Sequence, residues 1–513
     1  MNTFIKISGF ITFFCLFVFA LLFYKERTIT FDMSFQEIYL LITHKLVLNL
    51  KVGAAIPQMV PLLLQHLKFS LKTILLVYSA SYIVFYFLFF LTIAFVLRQN
   101  AVALVFLLST LLLVNDTFYW IQSELPQGLA WLLLYYAYIE KKGCGEISRK
   151  PLLHFLLILF IQSFHPLLFF PILYVLLFSV YKQYKFDLSR YVWPVGISIT
   201  GFAIRIWISR FDQYESSKLN LTDMMRQLWP SLHQFIRNIE KDISSNAIYV
   251  FVALLFTSAV VIYFWKRQKP GPIIAMVLAG IFLIAYLTAK KLAMLLPSVA
   301  MELHFAGSDY LIYWLVLGVT LVFLGLKKRF VPLALLVLFT FGYFLMICIE
   351  GHSADKFYLE NMMLPAGIFV LLPFVWLLVN IPFRYRGLFI PLLLGIIVTR
   401  LVFVFNSHSL YTSRLDWYQQ RFIEMDKTGN QRLMLTDKNI SMDTLVMTWA
   451  SGYESLILSS IDGPTHSKSI VIDNDLTQYK PFLAADTLTL AKWGVWSAKD
   501  LPQRYFLMRP GHY

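Results

Sequence analysis

The acid Asp32 stands in the run Thr30-Phe31-Asp32-Met33-Ser34-Phe35-Gln36-Glu37, a few residues past the first apolar stretch of the chain. At that depth a carboxylate meets the membrane–water boundary. Partial desolvation there raises its pKa, and a lipid-borne substrate presents its headgroup at the same level, so Asp32 could act as a general base towards a hydroxyl. The same run also reads as a helix start, with Asp32 or Ser34 as N-cap and Glu37 in the first turn, and the two readings are compatible. A second group, Asp116, Tyr119, Trp120, Glu124 and Gln127, lies at a short turn between two later apolar stretches. Glu124 precedes Pro126, which also suits a first-turn acid beside a helix dipole. Ser163-Phe164-His165-Pro166 could bring an imidazole to those acids, although His before Pro is equally an ordinary helix break. Asp32, Glu124 and His165 are therefore the candidate catalytic residues, with Glu37 and Asp116 as substrate-binding candidates.

Cations supply the complementary chemistry. Arg205 and Arg210 close one apolar stretch, and Lys290-Lys291 opens a polar one. Arg binds phosphate through a two-pronged fork and Lys as a point charge, so these four could hold a phosphate or pyrophosphate; snorkelling to lipid headgroups is the simpler use. Glu302, His304 and Asp309, with Glu350, His352, Asp355 and Glu360 at the next turn, could bind sugar hydroxyls or a divalent ion. No metal-ligand motif is matched, and a solvated loop explains many of them. The three cysteines, Cys15, Cys144 and Cys348, have neither CxxC nor metal-finger spacing.

The elements that must position these groups are membrane spans. The chain has 513 residues, 58% of them hydrophobic and only 14% charged, against about 25% charged in soluble domains. A span needs about 20 mainly apolar residues. On that scale about thirteen spans are expected, near 7–24, 70–97, 101–119, 124–139, 151–164, 166–181, 191–208, 247–265, 272–289, 310–326, 330–349, 361–379 and 387–405. The first has no small-residue cleavage site after it and reads as a retained signal anchor. With the N-terminus inside, every inner loop is basic: Arg98; Lys141, Lys142, Arg149 and Lys150; Lys182, Lys185 and Arg190; Lys266, Arg267 and Lys269; Lys327, Lys328 and Arg329; Arg384 and Arg386. The formal charge of +15 is thus membrane topology, not a nucleic-acid footprint.

The fold class expected is an all-α polytopic membrane protein spanning 1–405, with interfacial helices within 34–67 (stretches 38–50 and 56–67, broken by Pro57 and Pro61), and a small C-terminal extracytoplasmic α/β or α+β domain over 406–513. In that domain a helix is expected at 411–427 and strands at 432–436, 444–449, 455–461, 469–472 and 487–490. No internal repeat is visible.

This layout resembles the GT-C superfamily of integral membrane glycosyltransferases. In that superfamily an acid in the first outer loop positions or activates substrate, interfacial helices follow it, and several members carry a soluble outer domain. Asp32 and the stretch 38–67 occupy those places, while the usual acidic pair is missing, since Met33 follows Asp32 and Glu37 is the nearest second acid. The chain also looks like uncharacterised multipass proteins of Gram-negative bacteria that share a segment of the Tyr453-Glu454-Ser455-Leu456 type, a likeness that brings no activity. The resemblance implies transfer of a hexose or pentose from a polyprenyl-phosphate-linked donor to a glycan, lipid or protein acceptor, at the periplasmic face of a bacterial inner membrane. A flippase for a lipid-linked glycan would favour mid-span charges and repeated halves, neither of which is seen. A non-catalytic assembly protein is the third reading.

Overall fold

A computed structural model of the chain describes residues 1–211 apart from 47–52, 54, 112–115, 122 and 185–186; 225–233 apart from 227; scattered positions of 317–325; and 327–349, 356–379, 383–436, 440, 448–463, 467–476 apart from 474, 488–490 and 494–496. It is mostly helical. Helix α1 (Asn2–Leu22) leads through a short α2 (Tyr24–Thr28) into α3 (Asp32–Thr43) and α4 (Ala55–His66). Long apolar α5 (Leu71–Leu91, extended by a π-turn Thr92–Val96), α6 (Asn100–Leu111), the single turn α7 (Asp116–Tyr119) and α8 (Glu124–Lys142) follow. Next come α9 (Gly145–Arg149), α10 (Pro151–Gln162), a 3-10 turn Pro166–Leu168, α11 (Phe169–Tyr184) and α12 (Val192–Ser209). Among the described residues three more apolar helices follow, α13 (Phe330–Ile349), α14 (Lys356–Val379) and α15 (Phe383–Asn406).

Six described stretches are long and apolar enough to cross a membrane, and α6, α10 and the stretch Leu364–Val379 are shorter apolar helices. The expected spans at 247–265 and 272–289, and most of 310–326, fall outside the described residues. Of the expected span at 101–119, α6 covers the part up to Leu111 and a helical turn holds Asp116–Tyr119, while 112–115 lie outside the described residues.

In lipid a polar group needs an internal partner, and several buried ones bond between helices. Ser79 donates to the Ala20 carbonyl (2.7 Å), Tyr174 to that of Phe369 (2.7 Å), Tyr119 to that of Val404 (2.8 Å), and the Arg400 Nε to that of Leu111 (2.7 Å). α6 is the centre of the bundle, with Val102 to Leu108 all nearly inaccessible. Close approach of α1 to α5 depends on Gly9, where an added Cβ would lie 2.0 Å from the Phe90 ring.

α3 and α4 cover most of the stretch 34–67 in which interfacial helices are expected. α4 leaves Ile56, Met59, Leu63 and Leu67 exposed, a one-sided apolar stripe suited to the headgroup boundary. Past the last apolar helix, α16 (His408–Thr428), β1 (Arg432–Leu435), α17 (Ser451–Ser460) and β2 (Ser469–Ile472) follow, with β3 (Leu488–Leu490) and β4 (Gly494–Trp496) as a small antiparallel pair. β1 and β2 are parallel, Arg432 opposite Ser469. The strand expected at 455–461 is a helix instead. Its serines explain why: Ser451, Ser455 and Ser459 recur every fourth residue and accept the backbone N–H groups of Ile472, Ile470 and Lys468 (3.1, 2.8 and 2.8 Å), finishing the open edge of β2. The expected strand at 444–449 lies mostly outside the described residues, which hold a 3-10 turn at Thr448–Ala450. This C-terminal part shares one core with the segment after α1: Ile29, Ile38, Leu41 and Ile74 pack with Leu415, Tyr418, Leu456 and Ile470.

Candidate functional site

The first loop begins with α2, whose amphipathic turn aims Arg27 inward. Arg27 is fully buried, its guanidinium carbon 4.0 Å above the Phe118 ring, and none of its three nitrogens makes a hydrogen bond among the described residues. It borders a cavity lined by Leu16, Tyr82, Tyr86, Phe118, Leu129 and Val404 among others. Burial lowers the Arg27 pKa to about 9, partly offset by Tyr119, Tyr82 and Tyr86, so the group remains cationic at neutral pH. An unpaired buried charge is expensive to maintain, by several kcal/mol.

Tyr82 ties the cavity to the acids. Its hydroxyl lies 3.2 Å from that of Tyr78, which in turn donates to the Gln36 Oε1 (3.2 Å) on α3. Arg27, Glu37 and Glu124 all lie within electrostatic reach of the Tyr82 hydroxyl. Glu37 is fully buried, both its oxygens lack hydrogen bonds among the described residues, and burial pushes its pKa up to about 8. Glu37 is therefore protonated at neutral pH and can donate a hydrogen bond. Glu124 sits in the first turn of α8, half-buried, where the helix dipole favours an acid. Glu37 and Glu124 thus share one tyrosine as a neighbour.

Asp32 is the first residue of α3. Phe31, not Asp32 or Ser34, takes the N-cap position, and the Ser34 hydroxyl turns back to the Phe31 carbonyl (2.7 Å). Phe31 has φ 52° and ψ −135°, a region that costs a residue with a side chain about 1–3 kcal/mol and persists only where the surroundings impose it. They do: Glu454 of α17, itself fully buried, accepts the Phe31 N–H.

The remaining candidates are dispersed. Asp116 opens α7. His165 caps the 3-10 turn after it, its Nδ1 accepting the Leu167 N–H (3.2 Å), the role of an ordinary helix break; the neighbouring Phe164 packs on Gly53 and Gly128 of α8. Arg205 is buried on α12 and donates to the Ser209 hydroxyl (2.7 Å), while Arg210 is exposed at the end of that helix. Lys290, Lys291, Glu302, His304 and Asp309 lie outside the described residues, and Glu360 falls in the second turn of α14. Among the described residues no three His, Cys, Asp or Glu side chains gather as metal ligands.

Sequence reading missed Arg27, Tyr82 and Tyr86. The available signal was positional: Arg27 is a cation on the side of the first span opposite the basic loops, the same argument that singled out Arg205. No protein family, curated protein or solved structure matches this chain.

Proposed function

We propose that the protein is an integral membrane glycosyltransferase that moves a sugar from a polyprenyl-phosphate donor to an acceptor at the membrane face carrying α16 and α17. The observation that carries this reading is Arg27: a buried, unpaired guanidinium bordering an apolar cavity suits a ligand with an anionic head and a hydrocarbon tail. Asp32 takes the proton of an acceptor hydroxyl as its oxygen attacks the anomeric carbon. The bond from that carbon to the phosphate oxygen breaks, and the lipid phosphate leaves as an anion held by Arg27. Phosphate needs little acid assistance as a leaving group, so charge stabilisation dominates. Glu37 in its neutral form donates a hydrogen bond to substrate. The cations Arg205, Arg210, Lys290 and Lys291 then serve lipid headgroups or a more distant part of the donor.

The test uses purified full-length protein in lipid nanodiscs with a polyprenyl phosphate as probe. Arg27→Gln should weaken binding about ten-fold or more, since a charge-assisted hydrogen bond contributes about 1.5–3 kcal/mol. Asp32→Asn should bind the probe as wild type does and fail to transfer sugar from the matching polyprenyl-phosphate sugar. Equal binding by wild type and Arg27→Gln would remove the main support for the proposal.

A further inference from the structure

The Tyr453-Glu454-Ser455-Leu456 segment carries no role in the transfer scheme, yet it holds a carboxylate at full burial. Three groups from two other segments converge on Glu454. Arg414 of α16 donates its Nε to both oxygens (3.1 and 2.9 Å) and its Nη2 to Oε2 (2.7 Å); the Tyr418 hydroxyl donates to Oε2 (2.6 Å); and the fourth donor is the backbone N–H of Phe31. The Arg414 guanidinium also stacks 4.6 Å above the Phe31 ring. Around this knot Thr412 donates to the Glu26 carboxylate (3.0 Å), and Phe35 packs edge-on to Trp449 and Tyr453. A buried acid shared between an Arg fork and a phenol is fixed in place, because each oxygen is already held before the Phe31 N–H is added. The residue it grips is the one with φ 52°, immediately before Asp32. Ordinary residues relax out of that region unless held.

We propose that Glu454 is a positioning residue: oriented by Arg414 and Tyr418, it clamps the Phe31 N–H and so lets the C-terminal region set the backbone from which Asp32 and α3 start. The clamp stands on the geometry of residues 26–35 and 412–454; its link to catalysis rests on the transferase reading. The C-terminal region thereby becomes a working part of the membrane site and not an appended module. Removal of the clamp releases the chain at Phe31 without touching any group that meets substrate.

Hydrogen exchange on the full-length protein in nanodiscs tests this, read beside binding of the same polyprenyl phosphate. Glu454→Ala should speed exchange of the amides of 31–34 at least ten-fold while α5 amides exchange as in wild type. Glu454→Gln keeps a carbonyl oxygen for the Phe31 N–H and should speed it several-fold less. Tyr418→Phe, which deletes one donor and no volume of consequence, should fall between wild type and Glu454→Ala. It is the deciding variant if Glu454→Ala also loses protection in α17. Unchanged exchange at 31–34 in Glu454→Gln and Tyr418→Phe, together with unchanged exchange in any Glu454→Ala protein that keeps α17 protected, overturns the clamp. Faster exchange with no probe binding even in wild type keeps the clamp and removes the transferase reading. Probe binding with no change in exchange does the reverse.

Discussion

Arg27 and Glu37 form an unusual pair, since both are buried, neither is bonded among the described residues, and their charges respond to pH in opposite regions. Glu37 has its folded pKa raised to about 8 from an ordinary 4.5. Between those values the native protein holds a proton that the unfolded chain has released, so stability falls as pH rises through the window and is lowest above about 8. Arg27, lowered to about 9, changes nothing below that value, because both states are then charged. Wild type should therefore lose thermal stability from pH 5 to pH 8.5, and Glu37→Gln should show a visibly flatter profile, as measured by thermal unfolding in nanodiscs. Parallel profiles would mean that Glu37 is solvated or paired. Glu37 was singled out from its place after Asp32, but its burial was not legible, because it is imposed by helices far along the chain. Arg27 was hidden for a related reason. In sequence, Lys25-Glu26-Arg27 reads as an ordinary charged flank of a span; only the arrival of Phe118 and Tyr82 makes one of the three a buried charge.

At the scale of elements, period and length were informative wherever one face met lipid or water. Helices α3 and α4, the long α16, and strands β1 and β2 fall close to their expected places. The failure at α17 follows from burial on all sides: Ser451 through Leu458 are all buried, so no polar face marks the helix, and the apolar run Leu456-Ile457-Leu458 imitates a core strand. The serine repeat at four-residue spacing was the cue. Packing between elements is more exacting than their assignment, as α1 and α5 illustrate. An added Cβ at Gly9 would meet three atoms of the Phe90 ring at 2.0 to 2.7 Å, closer than any real contact. Phe13 lies tilted against that ring, with centroids 5.5 Å apart, and is itself backed by Phe106, which limits the retreat of Phe90. Gly9→Val should destabilise by about 1–3 kcal/mol through overpacking, seen as a lower thermal midpoint. Phe90→Leu in the same chain should recover part of the loss. Because α1 leads directly into α2, which carries Arg27, and α5 carries Tyr82, probe binding should weaken along with stability in Gly9→Val alone.

The axis of α1 relates the basic turns to the candidate site. Among the described residues, Arg98, Lys141, Lys142, Arg149, Lys150, Lys182, Arg190 and Lys327 to Arg329 sit at helix ends or in turns between helices, and two contacts bring the end of α5 beside the N-terminal end of α1 and the C-terminal end of α8. There Lys6 lies 4.6 Å above the Phe95 ring and Lys141 donates to the Val96 carbonyl (3.0 Å). Arg27 follows the C-terminal end of α1, and Glu26 beside it accepts a hydrogen bond from the hydroxyl of Thr412 on α16. Short cytoplasmic loops are enriched in Lys and Arg, so the basic end is expected to face the cytoplasm and the site to face away from it. Reporter fusions check this at both ends of the axis. A fluorescent reporter that matures only in the cytoplasm should be active when joined after Lys142 and inactive when joined after Asn406. A phosphatase reporter that requires export should show the reverse. Because α15 and α16 are contiguous around Ser407, a cytoplasmic signal after Asn406 would move the α16–α17 clamp, Arg27 and Asp32 to the inner face together. The donor would then have to be presented on the cytoplasmic leaflet, and the proposed direction of transfer would be wrong even if Arg27 still bound the lipid phosphate.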